Sequence, residues 1–183
     1  MRQSNNRLTF WKNYHFPLRL FSGLVCTFAL ASCGGYPQVV DLPFSQGREG
    51  FNTSASEFKP QISDRYVAFV SDRNGSQDVY LYDWRDRAFI DLPGLNSLDE
   101  MAQDPSVSQD GRLIAFTRTR GGRSDIYLYN RETRAKRNLT ENLSAQVRNP
   151  SISADGSTIA FEANPDGNWD ILVYSSSGER LYD

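Results

Sequence analysis

Short apolar runs separated by turn residues recur along most of the chain. The runs Leu113–Phe116 and Thr158–Phe161 each follow an Asp-Gly pair, and a glycine-containing turn and a second apolar run follow each of them. Runs this short, rich in β-branched and aromatic residues, predict strands rather than helices. The run Ile126–Tyr129 is apolar on both faces, whereas a sheet with one wet face alternates with polar residues. The pattern therefore predicts sheets stacked face to face.

The pattern repeats three times with a nearly constant period. The marker residues of the repeat are prolines 45 residues apart, phenylalanines 47 and 45 apart, and aspartates 47 and 45 apart: Pro60, Pro105, Pro150; Phe69, Phe116, Phe161; Asp78, Asp125, Asp170. A period of this length with turns inside it is typical of one propeller blade per repeat. We expect an all-β fold with three four-stranded blades, at about residues 59–103, 104–148 and 149–183.

The Asp-Gly pairs predict the first turn of the later blades. Asp110-Gly111 and Asp155-Gly156 are expected to supply the pair of positive-φ residues that a two-residue hairpin requires. The first repeat differs, with Asp64-Arg65 at this point.

The repeated motif carries a family resemblance. Its form is Asp-Pro-Ser-x-Ser-x-Asp-Gly-x-x-Ile-Ala-Phe, then a gap and Asp-Ile-Tyr, and it resembles the repeats of the TolB-type β-propeller over about residues 59–183. Related blades occur in the non-catalytic propellers of prolyl-oligopeptidase-like enzymes. The resemblance implies a binding or scaffolding role near the Tol-Pal envelope-integrity machinery, with partners such as a peptidoglycan-associated lipoprotein. It also implies that the three repeats correspond to half of a six-bladed ring.

Three blades raise the question of closure, since closed propellers typically have 4 to 8. Two chains can pair as half-rings in a symmetric dimer, the stack can be capped by the segment before it, or it can dock onto a partner. Because homodimers are the commonest oligomers, the dimer is favoured.

The first 32 residues predict a removable export signal. Four basic residues and no acidic ones precede the 12-residue apolar run at positions 20–31, which is too short to span a bilayer comfortably. Leu30-Ala31-Ser32-Cys33 resembles a bacterial lipobox, which implies lipid attachment to Cys33; an ordinary secretory signal and a membrane anchor are the alternatives. Gly34 after that cysteine favours the outer membrane, facing the periplasm. Residues 33–58 are predicted to form a tether, with a strand at 39–43 that either completes the last blade or matches residues 90–93 by coincidence.

Charge and composition narrow the chemistry. Without the four basic residues of the signal, 16 basic residues face 22 acidic ones, a formal charge of −6, which disfavours nucleic-acid binding. The sole histidine, His15, lies in the predicted signal, so a Ser-His-Asp triad or a histidine-ligated metal is not expected. The sequence predicts no cofactor and no enzymatic activity.

Carboxylate chemistry is the alternative to a binding role. Asp78, Asp125 and Asp170 open the third predicted strands, and two carboxylates suffice for glycoside hydrolysis. Since they recur at the repeat period, a structural role in binding turn amides is favoured. The stretch Asn164–Asp170 resembles the start of a calcium loop, although a plain hairpin turn is favoured.

Arg118, Arg120 and Arg123 cluster at one predicted hairpin tip. Arginine suits carboxylate recognition at interfaces. They are candidate partner-binding residues, with a solvated turn as the alternative. Trp84 and Trp169 also lie near turns and are interpreted as packing aromatics.

Overall fold

The computed structural model describes residue 50 and residues 52–182. This part of the chain contains twelve strands and no helix, arranged as three four-stranded antiparallel sheets. The predicted all-β class and the three four-stranded blades are confirmed. Nowhere in the described part is there a helix of the length and apolarity needed to cross a bilayer.

Each sheet is a meander in which the strands pair in chain order. Blade 1 consists of β1 (Glu57–Ser63), β2 (Tyr66–Ser71), β3 (Asp78–Asp83) and β4 (Ala88–Ile90). Blade 2 consists of β5 (Met101–Val107), β6 (Leu113–Arg120), β7 (Arg123–Asn130) and β8 (Ala135–Asn138). Blade 3 consists of β9 (Gln146–Ile152), β10 (Thr158–Asn164), β11 (Asp170–Ser175) and β12 (Arg180–Tyr182).

Blade 3 has its own fourth strand. β12 pairs with β11 and is as long as β4, at three residues each. Residues 39–43, offered as a substitute for that strand, lie outside the described residues, as do Cys33 and the rest of the predicted signal and tether before residue 50.

The first strand of each blade runs through its proline. Lys59, Asp104 and Asn149 each precede the proline and have φ near +50°. The strand register shifts at this point in every blade, which marks a β-bulge. Because the bulge absorbs the proline, which cannot donate to the ladder, the strands begin two or three residues before the predicted repeat boundaries.

The blades stack face to face, with a core between each neighbouring pair. On β6, Ile114 and Phe116 face blade 1, whereas Leu113 and Ala115 face blade 3. The strictly alternating contacts explain why the apolar runs lack polar residues, since both faces of blade 2 are covered. The first strands lie side by side: the N–H of Val107 donates to the Gln61 side chain of blade 1 at 3.0 Å.

The Asp-Gly turns differ from the expected two-residue hairpins. Only the glycine of each pair has positive φ, and the loop holds four residues, from 109 to 112 and from 154 to 157. Gly111 N donates to the Ser108 carbonyl at 2.9 Å, which is the hydrogen bond of a four-residue turn ending at the glycine. The predicted positive φ of Asp110 and Asp155 was wrong, because their side chains bind the turn in a conformation of negative φ.

Candidate functional site

A polar cleft opens at the end of the stack where the first strands begin. Residues of all three blades line a volume of about 340 Å³: Lys59, Gln103, Asp104, Thr117, Ser124, Gln146, Val147, Arg148, Asn149 and Trp169. Three of these are the positive-φ residues of the bulges. The bulge that lets each first strand pass its proline therefore also places a polar side chain at the cleft.

Charges from neighbouring blades meet in the cleft. The Lys59 ammonium of blade 1 forms an ion pair with the Asp104 carboxylate of blade 2. The lysine is half-exposed, whereas the aspartate is largely buried. An ion pair at equivalent positions of adjacent repeats fixes the two bulges relative to each other and leaves the lysine accessible from the cleft.

Blade 3 contributes a stacked arginine. The Arg148 guanidinium lies over the Trp169 ring, 3.8 Å from its centroid, and its Nε donates to Glu162 at 2.6 Å. Asn149 Nδ2 donates to the other Glu162 oxygen at 3.0 Å. These hydrogen bonds, from Asn149 first and from Arg148, lower the pKa of Glu162 below its ordinary value. The result is an anchored, half-exposed platform with one aromatic and one cationic component.

One hydroxyl in the cleft has no hydrogen-bond partner among the described residues. Thr117 Oγ1 is buried on β6, and the residue is 2% exposed. Buried polar groups are nearly always satisfied, so this hydroxyl is an exception among the buried groups behind the cleft wall. Its neighbour in the lining, Ser124, is already bonded to Thr119, with 3.0 Å between the two hydroxyl oxygens.

The predicted turn aspartates lie at the opposite end of the blades. Asp155 accepts from the Ser153 hydroxyl at 2.5 Å and from the Ser157 N–H at 3.0 Å. Asp110 makes the same two contacts with Ser108, at 2.6 Å, and with the Arg112 N–H, at 2.9 Å. The serine two residues before the aspartate was not singled out in the sequence. Its spacing, Ser-x-Asp-Gly, is the signal that identifies it.

The glycines of these turns contact the preceding blade. A Cβ on Gly111 would lie 2.5 Å from the Tyr66 ring, and one on Gly156 would lie 2.7 Å from Leu113 Cδ1. Tyr66 and Leu113 are both the first residues of second strands. Gly111 and Gly156 thus join blades as well as form turns.

The three aspartates at the third strands have different surroundings. Asp78 is buried and accepts from Ser76 Oγ at 3.2 Å, and burial raises the pKa of its carboxyl. Asp125 accepts from the Arg123 guanidinium and from Thr140 Oγ1, at 3.0 and 3.2 Å, while Asp170 is exposed. The donors to the first two are side chains, whereas backbone amides were expected. Each of these aspartates lies in a different blade, so no two of them form a carboxylate pair within one blade.

The side chains of Thr140 and Asn96 accept hydrogen bonds from backbone N–H groups of the third strands, a role that the sequence analysis missed. The N–H of Ile126 donates to Thr140 Oγ1 at 3.0 Å, and the N–H of Val79 donates to Asn96 Oδ1 at 2.9 Å. Both polar residues follow a buried leucine after the fourth strand, Leu95 and Leu139. That recurring Leu-polar pair is the signal in the sequence.

The arginine cluster is engaged within the chain. Arg118 forms an ion pair with Glu100 and lies over the Tyr127 ring, 4.7 Å from its centroid. Arg120 Nη2 lies 2.9 Å from Asp99 Oδ2, and the Arg123 guanidinium donates to the Asp125 carboxylate. A partner at this hairpin would have to compete with the chain's own carboxylates.

The loop Asn164–Asp170 forms a turn. Gly167 N donates to Asn164 Oδ1 at 2.7 Å, and the loop residues from 165 to 170 are exposed. Across residue 50 and residues 52–182, no group of three or more His, Cys, Asp and Glu side chains is placed to hold a metal ion. Trp84 is half-exposed, and its Nε1 donates to the Asp64 carbonyl at 2.9 Å.

A family model matches most of the chain. The model of the TolB beta propeller domain matches residues 45–182. The chain belongs to the TolB β-propeller family. Among curated proteins, no sequence matches this member of the family.

Solved structures share the fold. A TolB of Agrobacterium tumefaciens superposes with a TM-score of 0.58 at 22% identity, covering 74% of this chain and 49% of that one. The β-propeller domain of the Trilobed protease from Pyrococcus furiosus gives 0.54 at 18%, covering 70% and 42%. A puromycin-hydrolyzing peptidase of Mycobacterium tuberculosis gives 0.53 at 16%, covering 71% and 20%. The chain thus spans half or less of the length of these relatives, and at these identities the likeness concerns the fold.

Proposed function

We propose that the chain is a protein-binding propeller module of the bacterial envelope and that its partner binds at the polar cleft. The single observation that carries this proposal is the joint lining of the cleft by residues of all three blades. A surface that only the assembled stack creates suits recognition of a folded partner or an extended peptide.

The chemistry of the cleft fits a polar protein segment. Arg148 on Trp169 offers a half-exposed stacking platform, where a partner carboxylate would compete with Glu162, and Lys59 offers a second cation that is paired with Asp104. Side-chain amides from two blades, Gln103 and Asn149, can pair with peptide groups. Arginine and tryptophan are also the residue types that most often dominate binding energy at interfaces.

The envelope setting rests on the sequence. The predicted lipobox supports tethering through lipid on Cys33, with the module facing the periplasm from the outer membrane. Membership of the TolB family supports a link to Tol-Pal-type envelope integrity, with a peptidoglycan-associated lipoprotein as partner. Labelling growing cells with an alkyne fatty acid tests the tether, because Cys33→Ser should abolish the label without changing export.

A binding role is proposed in preference to catalysis on envelope glycans. A two-carboxylate mechanism needs both groups beside one scissile bond. Asp78, Asp125 and Asp170 instead occupy the same position in three successive blades, and Asp125 is bound to a guanidinium.

The test is calorimetric titration of the chain with the periplasmic domain of the peptidoglycan-associated lipoprotein from the same organism. Loss of the platform in Arg148→Ala/Trp169→Ala should weaken binding about tenfold or more. Trp84→Ala is the matched control, since Trp84 is equally exposed but lies outside the cleft. Equal affinity of the platform variant and the control would overturn the cleft as the site, and absence of binding by the parent chain would overturn this partner.

A further inference from the structure

The two core clusters of the stack are built from equivalent residues. In the cluster between blades 1 and 2, Val79 of β3 packs with Val107 of β5. In the cluster between blades 2 and 3, Ile126 of β7 and Ile152 of β9 occupy the same positions. Each junction thus joins the third strand of one blade to the end of the first strand of the next.

The outer faces of the stack carry the two halves of one more such junction. Ile171 of β11 is the counterpart of Val79 and Ile126, which are 1% and 0% exposed, yet it is 61% exposed. Ile62 of β1 is the counterpart of Val107 and Ile152, and it is 64% exposed. Blade 3 therefore presents the third-strand half, and blade 1 presents the first-strand half.

The hydrogen-bond donor and acceptor of the junction also have counterparts on the two outer faces. The N–H of Ile152 donates to Ser106 Oγ of the preceding blade at 3.0 Å, as Val107 does to Gln61. The residue of blade 3 at the position of Ser106 is Ser151, which is exposed. By the same register, the N–H of Ile62 is the donor for a Ser151 hydroxyl on another molecule.

We propose that the outer face of blade 3 docks onto the outer face of blade 1 of a second copy of this chain. A second copy is the occupant that continues the two internal junctions, because Ile171 and Ile62 are the exposed counterparts of residues buried together at both of them. On blade 1 the contact runs along β1 at Ile62, since Phe69 and Tyr82 on that face are already buried.

Two such contacts close a ring. A twofold rotation lets blade 3 of each copy meet blade 1 of the other, so both junctions form together. The ring has six blades, within the range of closed propellers. Neither Ile62 nor Ile171 lines the cleft, so the ring and the partner proposed there use different residues.

Sedimentation equilibrium of the 183-residue chain tests the dimer. Density-matched nonionic detergent keeps the apolar run at 20–31 soluble, and Cys33→Ser in every variant removes association through lipid. The parent should be a dimer, and Ile62→Asp and Ile171→Asp should each weaken dimerisation about tenfold or more, the equivalent of roughly 1.4 kcal/mol. Leu98→Asp is the matched control, because Leu98 is an apolar residue that is 93% exposed and lies in the loop between β4 and β5 rather than on an outer strand.

Mixing the two variants distinguishes head-to-tail docking from other modes. A mixture of Ile62→Asp and Ile171→Asp chains retains one unmodified junction, so mixed dimers should form where neither variant dimerises alone. Three outcomes overturn the proposal: a parent that stays monomeric at its highest soluble concentration, a dimer that tolerates both substitutions, and a mixture that gains no dimer. A fourth outcome, sensitivity at Ile171 alone, would also overturn it, since it indicates that two blade 3 faces dock on each other.

Discussion

Blades 2 and 3 have nearly the same sequence pattern, yet they differ in how many of their faces are covered. Blade 2 is covered on both faces, so Ile114 faces one core and Leu113 the other. Blade 3 has one covered face, and on the other the β11 residue Ile171 is exposed. The comparison shows that the repeat pattern encodes a blade able to be covered on both sides, whereas burial depends on the neighbours.

Substitution of the equivalent isoleucines Ile126 and Ile171 should give the largest difference in stability between the two blades. Ile126→Ala removes a fully buried side chain between blades 2 and 3 and should lower the free energy of unfolding by about 2 to 4 kcal/mol. Ile171→Ala should change it by no more than about 0.5 kcal/mol in dilute solution, since the side chain is largely in water already. Urea unfolding followed by tryptophan fluorescence measures both.

Protein concentration is the control for this pair. The Ile126→Ala loss should be the same at every concentration, whereas a loss at Ile171→Ala that grows with concentration reports the docking of two copies. A similar loss for both variants in dilute solution would show that the outer face of blade 3 is covered within a single chain.

Substitution of the turn glycines of the two blades should give a smaller difference in stability. Gly111→Ala places a methyl group against the Tyr66 ring of blade 1 at a φ of +71°, and we expect a loss of about 2 kcal/mol from overpacking and backbone strain. Gly167→Ala in the outer turn of blade 3 has the strain, at a φ of +94°, without a neighbour within 4 Å. Its loss should be about 1 kcal/mol, by the same denaturation curves.

The difference between the two glycine variants isolates the contact between blades. If both lose the same stability, the Tyr66 ring moves aside and the turn does not fix the junction. Tyr66→Ala combined with Gly111→Ala should then recover nothing, whereas a genuine clash would be relieved in the double variant, giving a coupling energy between the two sites.

The strands with a strong pattern were predictable, and the joints between blades were not. Leu113–Phe116 and the Asp-Gly turns stand out locally, because a strand covered on both faces and a positive-φ glycine leave direct marks in the sequence. The fourth strands were hard to place, since β8 (Ala135–Asn138) is short and polar. Its position is set by pairing with β7 rather than by its own pattern.

The cleft was missed for a different reason. Lys59, Asp104 and Asn149 precede prolines, which suggested the start of a repeat rather than a bulge inside a strand. Trp169 and Arg148 are 21 positions apart, and the pairing of both β9 and β11 with β10 brings them together. The predicted arginines lie on a single hairpin, where clustering is visible in the sequence, but their carboxylate partners Asp99 and Glu100 come from the loop before β5.

The smallest expected effect concerns the same turn in blades 2 and 3. In both, the aspartate of Ser-x-Asp-Gly accepts from a serine hydroxyl and a backbone N–H, and these bonds lower the pKa of its carboxyl. In blade 3, hydrogen bonds from Ser153 and Ser157 lower the pKa of Asp155 from 3.8 to about 2. Around Asp110, burial opposes the hydrogen bonds more strongly and is the largest influence on its pKa.

The pH dependence of stability follows from that lowered pKa. Because the folded chain holds the charged form of Asp155 more strongly than the unfolded chain does, its stabilisation is complete above the unfolded pKa near 4. It is lost as the pH falls through about 2. Asp155→Asn should lower the Tm by a few degrees at pH 7, and this difference should shrink between pH 4 and pH 2 in melts followed by circular dichroism. Asp166→Asn, in the exposed outer turn of the same blade, is the control for exchanging a carboxylate for an amide. A Tm difference for Asp155→Asn that stays constant down to pH 2 would mean that the side-chain amide, rather than the charge, decides the stability of the turn.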